Sequence, residues 1–261
     1  MKVQDFGHFD TAPILFGGPY SNLQALEALA EIVGDGPAIC TGDVVAYGAD
    51  PAACVALIQG KGWPVVAGNC ERQIAEGADD CGCGFEDGTA CDLASRGWYP
   101  RALAACDDKT RQWMGALPDI GVFQTGGLRY AVIHGGTHQI NRFIWPSDDD
   151  AIFLEEIGFI RDAVGHVDGV IAGHCGIAFH RHIDGCDWIN AGVIGLPPHD
   201  GRVETRYATL SDGQAIFHRL SYDHDQARAQ MEAAGLIHGY QETLTTGIWP
   251  SEDVLPEALR R

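Results

Sequence analysis

Residues 41–51 read TGDVVAYGADP. A short apolar run at residues 38–41 ends in a Gly-Asp turn, and Asp50-Pro51 then opens a helix with proline at its first position. Strand, tight turn and helix in that order make a βα unit, and repeated units of this kind favour a sheet covered by helices. The pattern recurs on both sides. Residues 12–16 predict a strand and 22–33 a helix. Leu23, Leu26, Leu29, Ala30 and Val33 fall on one face of that helix, with Ser21 or Asn22 as N-cap. Residues 64–67 predict a third strand, followed by a short helix from Glu71.

The segment at 77–100, GADDCGCGFEDGTACDLASRGWYP, interrupts this rhythm and reads as an inserted loop with a short helix near its end. Beyond it the pattern predicts a helix over 109–117, strands at 122–124 and 130–133, and a helix over 148–164. From Val167 the chain turns to strands and hairpins, and LSDGQA at 210–215 places an Asp-Gly turn between two alternating strands. Residues 224–234 look helical. The expected organisation is one α/β domain over 1–222, with a C-terminal helix and tail, 223–261, packed on it.

Composition narrows the function classes. A formal charge of −19 with only 17 Lys and Arg argues against a nucleic-acid polymer as partner. No apolar run reaches the roughly 18 residues needed to span a bilayer, which argues against a membrane protein. The N-terminus, MKVQDFGHFD, lacks an apolar signal-peptide core, so the cytoplasm is the expected location. Nine cysteines in such a chain favour reduced thiols or a metal site over a disulfide framework.

Four segments share the design of residues 41–43, an apolar strand ending in a tight turn that carries a metal-capable side chain. They present Asp43 after Gly42, Asn69 after Gly68, His134 before Gly135 and His174 after Gly173. Strand ends of this kind project side chains at one edge of a sheet, where α/β proteins place their sites. One carboxylate, one amide oxygen and two imidazoles suit Mn²⁺, Fe²⁺ or Zn²⁺. Taken singly, a Gly-Asp is usually a turn and a histidine usually a surface or core residue. Their recurrence in one setting is the signal.

On these motifs the chain resembles the calcineurin-like metallophosphoesterases, in particular the compact bacterial phosphatases and phosphodiesterases. TGDVVAYGADP is similar to the family's Gly-Asp motif, VVAGNCE to its Gly-Asn motif, VIHGG to its lone His-Gly, and AGHCG to part of Gly-His-x-His. The resemblance covers about residues 12–220 and implies a four-layer fold, two central mixed β-sheets flanked by helices. It implies a metal-dependent phosphoesterase acting on a small phosphorylated metabolite or nucleotide. Asp43, Asn69, His134 and His174 would hold one divalent ion, with Asp43 and His174 catalytic. Cys70 stands where many relatives have a general-acid histidine. WINAGVIGLPPHDG is similar to the segment closing such sites, which implies Asn190 and Gly192 at the substrate.

The resemblance also marks losses. In the family the turn after the first strand carries Asp-x-His. Here LFGGPYSNLQALEAL, residues 15–29, puts Gly18 at the aspartate and Tyr20 at the histidine. The second histidine of Gly-His-x-His falls on Gly176. All three ligand positions peculiar to one ion of the pair are vacated, while the other ion's set is complete. Tyr20 either replaces a ligand as a phenolate, with help from His138, His180 or His182, or fills the space. Filling is the expected outcome. Two alternatives to hydrolysis stand: a pseudoenzyme that binds nucleotide or phosphate as a regulatory module, and a cysteine-based metal or redox module. For the latter, Cys81, Cys83 and Cys91, with Cys70 nearby, could supply thiolates to Zn²⁺ or an iron centre, form a redox pair, or remain free. The loop that carries them follows the Gly-Asn motif and is expected to cover the cleft as a lid, with Asp79, Asp80 or Glu86 contributing.

Overall fold

The computed structural model describes residues 1–85, 88–211 and 213–261. Glu86, and Asp212 in the expected hairpin turn, lie outside the described residues. In chain order the elements are β1 (Val3–His8), β2 (Ile14–Phe16), α1 (Leu23–Val33), β3 (Ala38–Cys40), α2 (Pro51–Lys61), α3 (Asn69–Glu76), α4 (Ala90–Ala105) and α5 (Asp108–Ala116). Then follow β4 (Ile120–Thr125), β5 (Leu128–Val132), α6 (Asp150–Val164), β6 (Gly169–Ala172), β7 (Phe179–Ile183) and β8 (Cys186–Asn190). The chain closes with β9 (Thr205–Ser211), β10 (Gln214–Leu220), α7 (His224–Ala233), α8 (Tyr240–Thr246) and a 3₁₀ turn at Glu257–Leu259.

The strands form two mixed sheets, one ordered β1-β4-β5-β6-β8-β7 and the other β10-β9-β2-β3. Side-chain alternation along the strands stacks them. Leu15, Ile39, Val132, Ile171 and Ile189 meet in a central core fed by both sheets. Their chain neighbours Phe16, Ala38 and Cys40 turn outward to the helices over the four-stranded sheet. Ala131, Val170, Ala172 and Trp188 turn outward to α6 on the other side. Period-two strands that are apolar on both faces require cover on both faces, and this gives the order helix, sheet, sheet, helix. The four-layer architecture expected from the resemblance is the one observed.

Three local expectations are corrected. Residues 64–67 form only an isolated bridge, Val65 with Cys40, because Pro64 has no N–H to extend the ladder. β1 was not foreseen: VQDFGH lacks an apolar alternation, since it is an exposed edge strand held in parallel to β4. The short helix expected near the end of 77–100 is α4, 16 residues long, which begins inside that segment with Thr89 as N-cap. Elsewhere the local chemistry behaves as read. Asn22 Oδ1 accepts the Ala25 N–H and starts α1, and Pro51 opens α2.

The connectivity brings one edge of both sheets together. β2 and β3 run parallel, as do β5, β6 and β8, so the turns after β2, β3, β5 and β6 converge. Backbone bonds lace the first two turns: Gly18 N–H to Gly42 O at 3.0 Å, and Tyr20 N–H to Asp43 O at 3.2 Å. α7 packs on α1, where Gln24 Nε2 donates to Gln230 Oε1 at 2.7 Å. Among the described residues no helix is long and apolar enough to cross a membrane.

Candidate metal centre and cleft

Asp43, Asn69, His134 and His174 meet at the shared sheet edge, all buried. His134 Nε2 lies 3.3 Å from Asp43 Oδ2, 3.1 Å from Asn69 Oδ1 and 3.0 Å from His174 Nδ1. Asp43, His134 and His174 are the one group of three or more metal-capable His, Cys, Asp or Glu side chains among the described residues. Asp43 and His174 both sit at positive φ, 43° and 60°, as do Tyr20, Ser21 and Tyr47 around them. Backbone strain of this kind costs about 1–3 kcal/mol per residue and gathers at sites where the fold over-determines it.

Neighbouring groups fix which atoms face inward. His134 Nδ1 is 2.7 Å from Thr41 O, so its proton belongs there and Nε2 presents a lone pair. Asn69 Nδ2 donates to Cys81 O at 2.9 Å, which turns Oδ1 toward His134. Glu71 ties the two loops together. Its Oε2 accepts the N–H groups of Asp43 (3.0 Å) and Gly68 (2.9 Å), and its Oε1 that of Val45 (3.3 Å). Gly68 is required here, because a Cβ would run into Asp43 Oδ1.

Four acceptor atoms thus face one another. A single proton on either ring satisfies one of these contacts, whereas a cation at their centre satisfies all four. His174 Nε2 is also buried without a partner. The electrostatics agree. Burial works to raise Asp43, but His134 beside it holds the carboxyl below the usual range. Burial works to lower His134, and Asp43 overrides it upward. Burial, with His134 adding to it, pushes His174 down to about 3, so that ring stays neutral as a ligand must. Burial and the Asp43 charge raise Glu71 to about 7. This donor set fits one divalent ion.

The side where the resemblance implies a second ion does not fit one. A Cβ at Gly18 would stand 2.5 Å from Tyr20 Cζ, so the Tyr20 ring occupies the space a residue-18 carboxylate would need. Tyr20 is buried, edge-on to Tyr47 with ring centres 4.9 Å apart. At Gly176 a Cβ would contact Trp249 Cζ2 at 3.5 Å and Val193 Cγ2 at 3.7 Å. Trp249 arrives from the C-terminal tail, its indole N–H donating to Pro197 O at 2.7 Å. The alternative histidines are engaged elsewhere. His138 packs on Phe159, and His180 and His182 both bind Asp187 Oδ1 at 2.8 Å.

A cleft opens on Asp43 and His174, enclosing about 50 Å³ and, counted out to bulk solvent, about 580 Å³. Its walls come from three places: the turns carrying Tyr20 and Tyr47, the cysteine loop through Cys83 and Phe85, and the tail through Tyr240, Trp249 and Val254. The cysteine loop therefore does reach the cleft, and Cys83 and Phe85 also face a groove of about 540 Å³ on its outer side. Asp79 and Asp80 line that outer groove and are absent from the cleft wall.

Other residues singled out in the sequence are placed less centrally. Cys81 and Cys83 are bonded to each other, so in this state neither offers a thiolate to a metal. Cys91 accepts from Tyr240 Oη at 3.5 Å. Cys70 lies behind Asp43, donating its N–H to Oδ1 at 3.3 Å, and does not line the cleft. Burial, with Asp43 and Glu71, raises its thiol well above the ordinary value and keeps it an S–H. Asn190 is used up by the frame: Nδ2 donates to Gly173 O at 2.7 Å and Oδ1 accepts the Gly192 N–H at 3.0 Å. Neither Asn190 nor Gly192 is on the cleft wall. Glu71, Phe143, Tyr240 and Trp249 were missed. Glu71 had a signal, an acid at the third position of a helix that begins with the Gly-Asn turn; the aromatics had none.

No protein-family model matches the chain, and no curated protein matches it. Solved structures do. A metallophosphoesterase from Sphaerobacter thermophilus superposes over 92% of this chain and 100% of its own, with TM-score 0.71 and 21% identity. A hypothetical protein from Pyrococcus horikoshii OT3 does so over 90% and 98%, with TM-score 0.75 and 15% identity. At these identities the likeness establishes the fold and leaves the chemistry to the residues.

Proposed function

We propose that this chain, which has the fold of the calcineurin-like metallophosphoesterases, is a metal-dependent phosphoesterase working with a single divalent ion, Mn²⁺, Fe²⁺ or Zn²⁺. The ion's ligands are Asp43, Asn69, His134 and His174. One observation carries the reading: a carboxylate oxygen, an amide oxygen and two imidazole nitrogens converge at a strand-end edge that opens on a cleft. An ion held there supplies Lewis acidity, withdrawing charge from a phosphoryl oxygen and making water acidic enough to lose a proton near neutral pH.

The chain's own groups do the rest. Thr41 O and Cys81 O hold the His134 ring and the Asn69 amide in ligating orientation. Glu71 keeps the two ligand-bearing loops at fixed spacing. His174, neutral and on the cleft wall, faces the phosphate of a small substrate, and the aromatic walls exclude water from it. Cys70 S–H, behind Asp43, is placed to hydrogen-bond that carboxylate and not to reach a leaving group.

Full-length protein incubated with Mn²⁺ is expected to bind one equivalent per chain and to hydrolyse bis(p-nitrophenyl) phosphate. Asp43→Asn is expected to lose both. Two equivalents, or turnover that survives the substitution, contradict the reading. A second reading, a phosphate-binding module without turnover, is favoured by the hydrocarbon filling of the vacated half. Binding of phosphate with one bound ion and no hydrolysis would establish it.

A further inference from the structure

We propose that Cys81 and Cys83 form a thiol–disulfide exchange site whose redox state sets the metal affinity of the neighbouring centre through Asn69, with a small uncharged dithiol as reductant. This rests on the metal-centre reading and adds regulation to it. Cys81 and Cys83 are bonded, with Cα atoms 5.4 Å apart, inside the range of about 4.4–6.8 Å that a disulfide spans. The other seven cysteines are free and buried. The Cys81-Gly82-Cys83 turn is a partition. On its inner side Cys83 stands in the cleft wall. On its outer side both cysteines line the groove of about 540 Å³, which falls in the range of small-molecule pockets, about 300–1,000 Å³. The cleft encloses only about 50 Å³, so a reagent reaches the disulfide from the groove. Asp79, Asp80 and Asp92 also line the groove, with Arg96 paired to Asp92, which disfavours an anionic thiol there.

The link to the ion site is direct. Asn69 Nδ2 donates to Cys81 O at 2.9 Å and lies 3.4 Å from Cys83 Sγ and 3.5 Å from Cys70 Sγ. The amide that turns its Oδ1 toward the ion is thus held by cysteines, two of them in the disulfide. Gly82 and Gly84, at φ 61° and 76°, bring no side chain to pack the turn in place. Besides the disulfide, Asn141 Nδ2 donates to Gly82 O at 2.9 Å and Asp80 Oδ1 accepts the Gly82 N–H at 2.7 Å. In the exchange, one sulfur of the dithiol attacks Cys83 Sγ and the S–S bond breaks toward Cys81. The second sulfur of the dithiol then displaces Cys83. Two electrons and two protons pass to the chain, which ends with two S–H groups, and the reductant ends as a disulfide. With the ring open the Cys81 carbonyl is no longer fixed, and Asn69 loses the partner that aims it.

The test compares the full chain treated with oxidised dithiothreitol and with dithiothreitol, each desalted under argon. Thiol titration in denaturant is expected to find seven thiols in the oxidised chain and nine in the reduced one. Calorimetric titration with Mn²⁺ is expected to show affinity at least about tenfold weaker after reduction, the lower end for outer partners of metal ligands. Cys81→Ala keeps the carbonyl but cannot close the ring, and Cys83→Ser cannot either. Both should show the reduced-state affinity whichever reagent is used. In the metal-free chain the NMR signal of the Asn69 side-chain amide, assigned by its loss in Asn69→Ala, should shift or broaden on reduction. Nine thiols after oxidation, or equal Mn²⁺ affinity in the two states, overturns the proposal. Absence of Mn²⁺ binding in both states overturns the metal-centre reading, whereas an Asn69 signal indifferent to reduction overturns the switch.

Discussion

The two sides of this site differ in what holds them in shape. On the side that keeps its donors, three of the four candidate ligands are oriented by a polar partner: His134 by Thr41 O, Asn69 by Cys81 O, and the Asp43 loop by Glu71. On the other side, the Gly18 and Gly176 positions face rings, Tyr20 over Gly18 and Trp249 against Gly176, and the hydrogen bonds there hold the backbone and the indole and orient no metal-capable side chain. Polar frames are demanding, since each member leaves another unsatisfied when it goes. Apolar filling is more forgiving. The difference teaches that the ligand set on one side cannot drift residue by residue, whereas the other can be rebuilt with rings once its ligands are gone.

Removing the polar frame should have the largest effect. Glu71→Gln leaves an N–H group facing the backbone donors from which the carboxylate now accepts, without replacing any candidate ligand. Metal affinity is expected to fall about 10–100-fold, the range for outer partners of metal ligands. Calorimetric titration with Mn²⁺ checks this, and an unchanged affinity would show that the loops hold their spacing unaided.

The retained half should also answer to pH. Asp43 keeps His134 protonated above its ordinary range, and burial raises Glu71 to about 7. An arriving ion must expel the first proton and favours loss of the second, so affinity should climb as pH rises through the window around 7 that Glu71 sets. Each unit is worth up to about tenfold per proton released. Titrations in two buffers of different ionisation enthalpy count those protons, and Glu71→Gln should lower the count. A flat profile across that window would break the picture of a proton held where the ion sits.

On the vacated side the test is a partial reversal. Gly18→Asp restores the carboxylate that the resemblance implies, but into a position at φ 35° with the Tyr20 ring 2.5 Å from its Cβ. The expected result is no second ion and a loss of about 1–3 kcal/mol in stability, from strain and displaced packing. Denaturant unfolding reads the loss. A gain of a second metal equivalent would mean the half is dormant, not rebuilt.

Much of this was legible in the residue order, and the boundary is physical. Strands ending in Gly-Asp, Gly-Asn, His-Gly and Gly-His announce themselves because the turn chemistry and the ligand lie side by side in sequence. The four-layer fold was implied by the resemblance, whereas apolar strands separated by amphipathic helices point only to a sheet covered by helices. What stayed hidden depends on distance through the chain. Trp249 reaches the site from more than 70 residues beyond His174, and no motif spacing marks it. The Cys81 carbonyl that aims Asn69 is backbone, and no side-chain pattern reports it. β1 went unread because an exposed edge strand needs no apolar face.

The smallest expected effect is the most diagnostic for the contrast between the halves. Tyr20→Phe deletes only a hydroxyl. If the vacated half is held by contact, the ring still covers Gly18 and packs edge-on to Tyr47, so metal stoichiometry should stay at one and affinity within about twofold of native. The phenol is raised far above its ordinary value by burial first and then by Tyr47 and Asp43, which disfavours the phenolate a ligand would require. A phenolate bound to ferric iron, in contrast, gives a charge-transfer colour that Tyr20→Phe would abolish along with an equivalent of metal. Absorbance of the iron-loaded native and Tyr20→Phe proteins separates the two. Identical, colourless spectra place Tyr20 with the packing, and a band lost on substitution would move it across to the ligands.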